Sequence, residues 1–219
     1  MSNNKVNIFL LITSVFSTLA LVIGITFSYI NMNNMSSLNA LAIEAGKISL
    51  GLGVTERYTG HVLIPLNDED IDKAYQNKCL DSYGWGACLA YNLTLSNYHE
   101  AQEVEALIDF HLNEVENLSY MVLDSNGNRI KDITHIDSAN SNGLSLMDSF
   151  VIEDGTVVAE VKDFTLLIWL TNKKEEIQDE DDAGGSFTAT VTFKTTYGGR
   201  LTATVKGIES NSEKASVIE

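Results

Sequence analysis

Val104-Glu105-Ala106-Leu107-Ile108-Asp109-Phe110-His111-Leu112-Asn113 puts Val104, Ala106, Ile108, Phe110 and Leu112 on one face, with Glu105, Asp109, His111 and Asn113 on the other. A period of two belongs to a half-buried strand, because successive side chains of an extended chain point to opposite faces. The same pattern recurs on both sides. Upstream, Leu89-Ala90-Tyr91-Asn92-Leu93-Thr94-Leu95 alternates up to Ser96-Asn97, and a first strand is predicted from Ile43 to Leu52, with Ile48, Leu50 and Leu52 against Lys47, Ser49 and Gly51. Downstream, Tyr120 to Leu123 and Arg129 to Ile133 flank Asp124-Ser125-Asn126-Gly127-Asn128, whose Asn-Gly is a strong hairpin signal. Asp154-Gly155 predicts another hairpin, between Phe150-Ile152 and Val157-Val161. Phe164, Leu166, Ile168 and Leu170 share a face opposite Trp169. Phe187, Ala189, Val191 and Phe193 oppose Thr188, Thr190 and Thr192, and Gly198-Gly199 turns the chain into Leu201, Ala203 and Val205. The one helical expectation is short: Asp68-Glu69-Asp70 capping a turn that holds Ile71, Ala74 and Tyr75. Short strands joined by hairpins bury their apolar faces as an all-β antiparallel sandwich.

Lys5 is followed by an uncharged run from Ile8 to Ile30, and no acid precedes Glu44. Such a run is long enough to cross a bilayer as a helix, at roughly 20 residues per span. It also has the layout of an export signal, with a basic start, an apolar middle, and Thr26 and Ser28 around Phe27 ahead of Tyr29. Either reading delivers the rest outside the cytoplasm: to an extracellular or cell-surface location, or to a single-pass anchor held in the membrane through residues 8–30. The chain holds 14 basic and 30 acidic side chains for a net charge of −16, and without Lys5 the remainder has 13 against 30, or −17. A surface this acidic repels phosphate backbones and anionic lipid heads, which excludes nucleic acid as a partner class.

Cys79 and Cys88 enclose a short loop containing Gly84 and Gly86. In an oxidising compartment their disulfide contributes roughly 2.5–3 kcal/mol in the chain-entropy model. The spacing is neither a CxxC redox motif nor a full zinc site. Four histidines are present, His61, His99, His111 and His135. His99-Glu100 opens an HExxH, but Glu103 occupies the position of the second ligand, so the zinc-protease helix fails. No glycine-rich phosphate loop or nucleophile motif occurs, and the chain reads as a non-enzyme without a cofactor. Two oxygen-rich loops are candidate calcium sites. One is Asp124 to Asn128 with Asp132, and the other is the carboxylate cluster containing Asp179, Asp181 and Asp182. Asn92-Leu93-Thr94 and Asn117-Leu118-Ser119 match the glycosylation sequon.

Three segments together resemble the TasA/camelysin family of secreted Gram-positive proteins. Gly24-Ile25-Thr26-Phe27-Ser28-Tyr29 is similar to the family's small-aromatic-small export boundary, with Thr26 and Ser28 in place of its alanines. Ile43-Glu44-Ala45-Gly46-Lys47-Ile48-Ser49-Leu50 resembles its first strand. Ile168-Trp169-Leu170, the acidic Gln178-Asp179-Glu180-Asp181-Asp182, and Gly185-Ser186-Phe187 leading to Phe193 resemble its acidic loop, turn and closing strand, with Gly184 where the family has Gln. The resemblance implies a jelly-roll subunit of an extracellular biofilm-matrix fibre. It would associate with copies of itself or with other matrix proteins, through an N-terminal segment that adds as a strand to the next subunit. Here the donor is the segment 29–41, with Ile30, Met32, Met35, Leu38 and Leu41 as its apolar points. The expected organisation is an export signal or anchor over 1–28, the donor over 29–41, the sandwich over 42–208 and a polar tail over 209–219. Two other functions are weighed beside the fibre subunit: a membrane-tethered binding module or adhesin, and a metal-dependent protease as described for camelysin relatives.

Overall fold

The computed structural model describes residues 40–44, 47–59, 62–136, 138–172, 185–196 and 199–207. All lie in the unit Ser37–Glu219, and Met1–Ser36 falls outside them. The strands are β1 (Ala40–Glu44), β2 (Lys47–Tyr58), β3 (Leu89–Asn97), β4 (Gln102–Asn113), β5 (Leu118–Asp124), β6 (Arg129–Ile136), β7 (Leu144–Ile152), β8 (Glu160–Leu170), β9 (Ser186–Thr195) and β10 (Arg200–Lys206). They form a six-stranded sheet ordered β1-β2-β3-β8-β5-β6 and a four-stranded sheet ordered β10-β9-β4-β7. Every strand pairing is antiparallel.

The all-β antiparallel sandwich is the fold. Its pairs β3–β8, β4–β7 and β5–β6 nest inside one another, the signature of a long hairpin rolled into a jelly roll. The roll is incomplete at its open end. A regular eight-stranded roll sets the strand ahead of β3 beside β9, whereas here β2 stays on β3 and β10 takes the place next to β9. Alternation accounts for the inner faces. Tyr91, Leu93 and Leu95 of β3, Ile108 and Phe110 of β4, Leu166 and Ile168 of β8, and Val191 and Phe193 of β9 meet in one buried cluster between the sheets.

Three expectations are corrected. The predicted strand from Ile43 to Leu52 is divided between two antiparallel strands, β1 and β2, because Glu44 pairs with Lys47 and the chain doubles back. Asp154-Gly155 is not a hairpin, since β7 and β8 belong to different sheets and the segment arches between layers. A glycine is required there for close approach rather than for a turn: a Cβ on Gly155 would lie 1.9 Å from Asn97 O. Asp68 to Asp70 form a 3-10 turn ahead of α1 (Ile71–Gln76), but no side chain caps it. The Asn126-Gly127 and Gly198-Gly199 expectations match the β5–β6 and β9–β10 pairings.

The β3–β4 and β7–β8 crossings meet at one end of the sandwich, around the fully buried Asn97. Its Nδ2 donates to the carbonyls of His99 (3.0 Å), Glu100 (3.1 Å) and Glu153 (2.6 Å). Its Oδ1 accepts from His99 N (3.1 Å) and from Gln102 Nε2 (2.8 Å). One buried carboxamide thus ties the backbone of both crossings together.

Candidate functional site

Thr26, Ser28 and Tyr29, expected at the export boundary, and Ile30, Met32, Met35 and Leu38, expected in the donor segment, lie outside the described residues, as do Asp179, Asp181 and Asp182. Leu41 stands in β1 opposite Gly51. Cys79 and Cys88 are joined in a disulfide. His111 is exposed on β4, and Glu103 is on a strand rather than a helix. Asp124 spends its carboxylate on its own turn, accepting from Asn126 N and Asn128 N (2.8 Å each) and from Asn128 Nδ2 (3.0 Å). Those hydrogen bonds, led by Asn128, hold its pKa below the usual carboxylate value. Among the described residues no cluster of His, Cys, Asp and Glu could hold a metal ion, and no helix is long and apolar enough to cross a membrane.

The sheet edges differ in a way that bears on association. A bare edge presents unpaired N–H and C=O groups to any neighbouring strand, and proteins blunt edges with charge or bulges. β6 carries Arg129 and Lys131, and Arg129 pairs with Asp72 of α1. β7 is irregular, its register against β4 shifting between Val104 and Ala106 and again between Ala106 and Leu107. β10 is different: it runs in unbroken register with β9 from Arg200 to Lys206, and among the described residues no strand pairs with its other side. β1 covers β2 only as far as Leu52, opposite Ala40, so Gly53 to Tyr58 also have an open side among the described residues. These two open edges occupy one flank. β10 packs against β1 and β2, and Tyr91 Oη donates to Lys206 O at 2.6 Å.

A second packed surface lies on the outside of the larger sheet. The outer face of β3, β5 and β8 is buried as well, with Ala90, Met121, Leu123, Leu167 and Trp169 packed under Ile71, Ala74, Cys79, Ala87 and Cys88. The segment between β2 and β3 is therefore a lobe clamped onto the sheet. A chain of polar contacts fastens it. Trp169 Nε1 donates to Asp68 Oδ1 (3.1 Å), Asp68 Oδ2 faces His135 Nε2 (3.5 Å), and His135 Nδ1 shares a hydrogen with Ser119 Oγ (2.8 Å). Ser119 also bonds Thr171. The order Asp-His-Ser suggests a nucleophile triad, but Ser119 is fully buried, so no substrate carbonyl can reach its Oγ. The arrangement acts as a fastening for the lobe. The sequence held one signal of this layer: Leu166-Leu167-Ile168-Trp169-Leu170 and Tyr120-Met121-Val122-Leu123 are continuous apolar runs, which mark strands covered on both faces.

No protein-family model matches the chain, and no curated protein matches it. The resemblance to TasA and camelysin proteins therefore stays one of short motifs. Among solved structures, the sporulation control protein Spo0M of Bacillus subtilis aligns at 11% identity and a TM-score of 0.34, over 73% of this chain. The match spans 49% of that protein, about half its length. The CooA pilin subunit of enterotoxigenic Escherichia coli aligns at 12% identity and 0.28, over 58% of this chain and 93% of that one. Likenesses this weak define no family and carry no function to this chain.

Proposed function

We propose that the chain is a non-enzymatic, exported structural protein, a subunit of an extracellular matrix or cell-surface fibre that assembles by β-strand addition. The observation that carries this reading is the contrast between edges: β7 is bulged and β6 carries charge along its length, while β10, charged only at its ends Arg200 and Lys206, and Gly53 to Thr55 of β2, ahead of Glu56 and Arg57, have an open side among the described residues. An extended segment entering there gains backbone hydrogen bonds from the unpaired side of the edge strand. The donor would be residues 29–41 of a neighbouring copy. They lead directly into β1, which already pairs with β2, so the chemistry that seats Ala40–Glu44 would continue along Gly53 to Tyr58. On this reading residues 1–28 serve export, 42–208 form the sandwich and 209–219 the tail.

Electron microscopy of the exported protein with and without residues 29–41 tests the mechanism. Filaments are expected from the first and not from the second, and equal filaments in both would remove strand addition. Sequencing the N-terminus of the surface protein separates the fibre subunit from a membrane-tethered adhesin. A start near Tyr29 frees the donor, and an intact Met1 retains an anchor.

A further inference from the structure

The disulfide-closed tip of the lobe belongs to neither sheet edge and has a chemistry of its own. Tyr83 is 86% exposed and Trp85 65%, on a loop otherwise locked from within. The Cys79–Cys88 bond closes it, and Leu80 bridges Gly86 just inside. Asp81 N donates to Trp85 O (2.8 Å), and Asp81 Oδ1 accepts from the backbone N–H groups of Tyr83 and Trp85 (2.8 Å each). Asn77 Nδ2 braces the same turn, donating to Leu80 O (3.2 Å) and Asp81 O (3.0 Å). Gly84 supplies the left-handed residue that the turn needs, at φ +88°. Two large aromatic side chains are thus held outward on a rigid base. Water-exposed aromatics presented this way lose little conformational freedom when they bind.

Beside the tip lies a groove of about 430 Å³, a size typical of small-molecule sites. Leu66, Ala74 and Leu80 contribute its apolar wall. Asp70, Lys73, Asn77, Asp81 and Ser82 supply its polar wall, with Lys73 paired to Asp70 at 2.8 Å and Asn77 Nδ2 engaged by the turn, while Tyr83 stands outside the lining, next in sequence to Ser82. We infer that the tip and groove form a binding site for a neutral polysaccharide, with Tyr83 and Trp85 as stacking platforms. A pyranose ring offers an apolar C–H face to an aromatic plane and a rim of hydroxyls to mixed donors and acceptors, and this site supplies both. The alternatives fit less well. Two aromatic side chains bury at most about 150–250 Å² each, short of the roughly 800 Å² per partner of a stable protein interface. A net charge of −16 opposes an anionic lipid surface.

Tryptophan fluorescence reads the site directly, because Trp169 is fully buried and acrylamide reaches only Trp85. The full-length protein, held in a polyoxyethylene detergent that contains no sugar, is titrated with cellohexaose, chitohexaose and maltohexaose. Retention on insoluble cellulose, chitin and starch is measured in parallel. At least one hexaose is expected to reduce acrylamide quenching at least twofold, with retention on the matching polymer. Tyr83→Ala is expected to weaken that binding at least tenfold, and Trp85→Ala to abolish retention, both with unchanged melting temperature. Tyr83 is exposed enough that its replacement leaves the fold intact, so the test survives if Trp85→Ala misfolds. No protection by any of the three hexaoses overturns the inference. So does equal retention of the Tyr83→Ala protein, or Tyr83-dependent binding to phosphatidylcholine vesicles in place of glycan.

Discussion

Replacing Asn97 with alanine should destabilise the protein far more than a surface carboxamide would. The side chain is fully buried and makes five hydrogen-bond contacts, three from the two N–H groups of Nδ2, one of them shared, and two into Oδ1. Of the three carbonyls it serves, His99 O retains Gly155 N as a donor at 2.8 Å, so Glu100 O and Glu153 O carry the loss. On the acceptor side, the buried Gln102 loses the one side-chain bond it makes among the described residues. An orphaned buried polar group costs about 1–3 kcal/mol, and water entering the space left by the side chain recovers part of it. The expected loss is then about 3–5 kcal/mol for these groups together. With a urea dependence of about 2 kcal/mol per molar, the unfolding midpoint should fall by about 1.5–2.5 M. Equilibrium urea denaturation with the disulfide intact measures this directly. Asn97→Asp should be worse at neutral pH, because a carboxylate oxygen then faces carbonyls where Nδ2 had donated. A midpoint shift below about 0.5 M for Asn97→Ala, or a wild-type midpoint for Asn97→Asp, would refute the assignment of Asn97 as the tie between the two crossings.

Other consequences follow from single observations. Gly155→Ala should cost at least about 2 kcal/mol by thermal or urea unfolding, since its Cβ would stand 1.9 Å from Asn97 O and the arch must shift. Removing the disulfide with Cys79→Ala and Cys88→Ala should lower stability by about 2.5–3 kcal/mol and open residues 77–88 to protease while both sheets persist. Burial, aided by the charge of Glu56, raises the Tyr91 phenol above its ordinary value of 10.0, and burial also raises that of Tyr120. The stability linked to these neutral phenols is fully present below pH 10.0 and lost as pH rises from there toward the raised values. Melting temperature should therefore fall steeply above pH 10, and less steeply for Tyr91→Phe, which also loses the bond to Lys206 O. If β10 is an acceptor edge, lysines at Thr202 and Thr204 should suppress filaments in electron microscopy without lowering the melting temperature by more than about 2–4 °C.

Features that depend on neighbouring residues are legible in the chain alone. Period-two alternation in Val104 to Leu112 and in Phe187 to Phe193 sorted inner from outer faces, and the structure buries Val104, Ala106, Ile108, Phe110, Phe187, Val191 and Phe193 as read. Asn126-Gly127 identified its hairpin because the turn's left-handed backbone is a local demand, visible at Gly127 with φ +83°. The Cys79–Cys88 pairing followed because two cysteines allow one partner each. Tertiary structure alone decided the rest. Whether Asp154-Gly155 joins strands of one sheet or crosses between two depends on which strands pair, and pairing is a long-range choice that the turn residues do not carry. The lobe over Trp169 was hidden for the same reason: a continuous apolar run says that both faces are covered, but not by which segment. The contacts of Asp68, His135 and Ser119 join residues far apart in the chain, and the exposure of Tyr83 and Trp85 depends on where the closed loop points once α1 is packed. The flank at β2 and β10, open among the described residues, likewise exists only when both sheets are assembled, because an edge is defined by the absence of a neighbour.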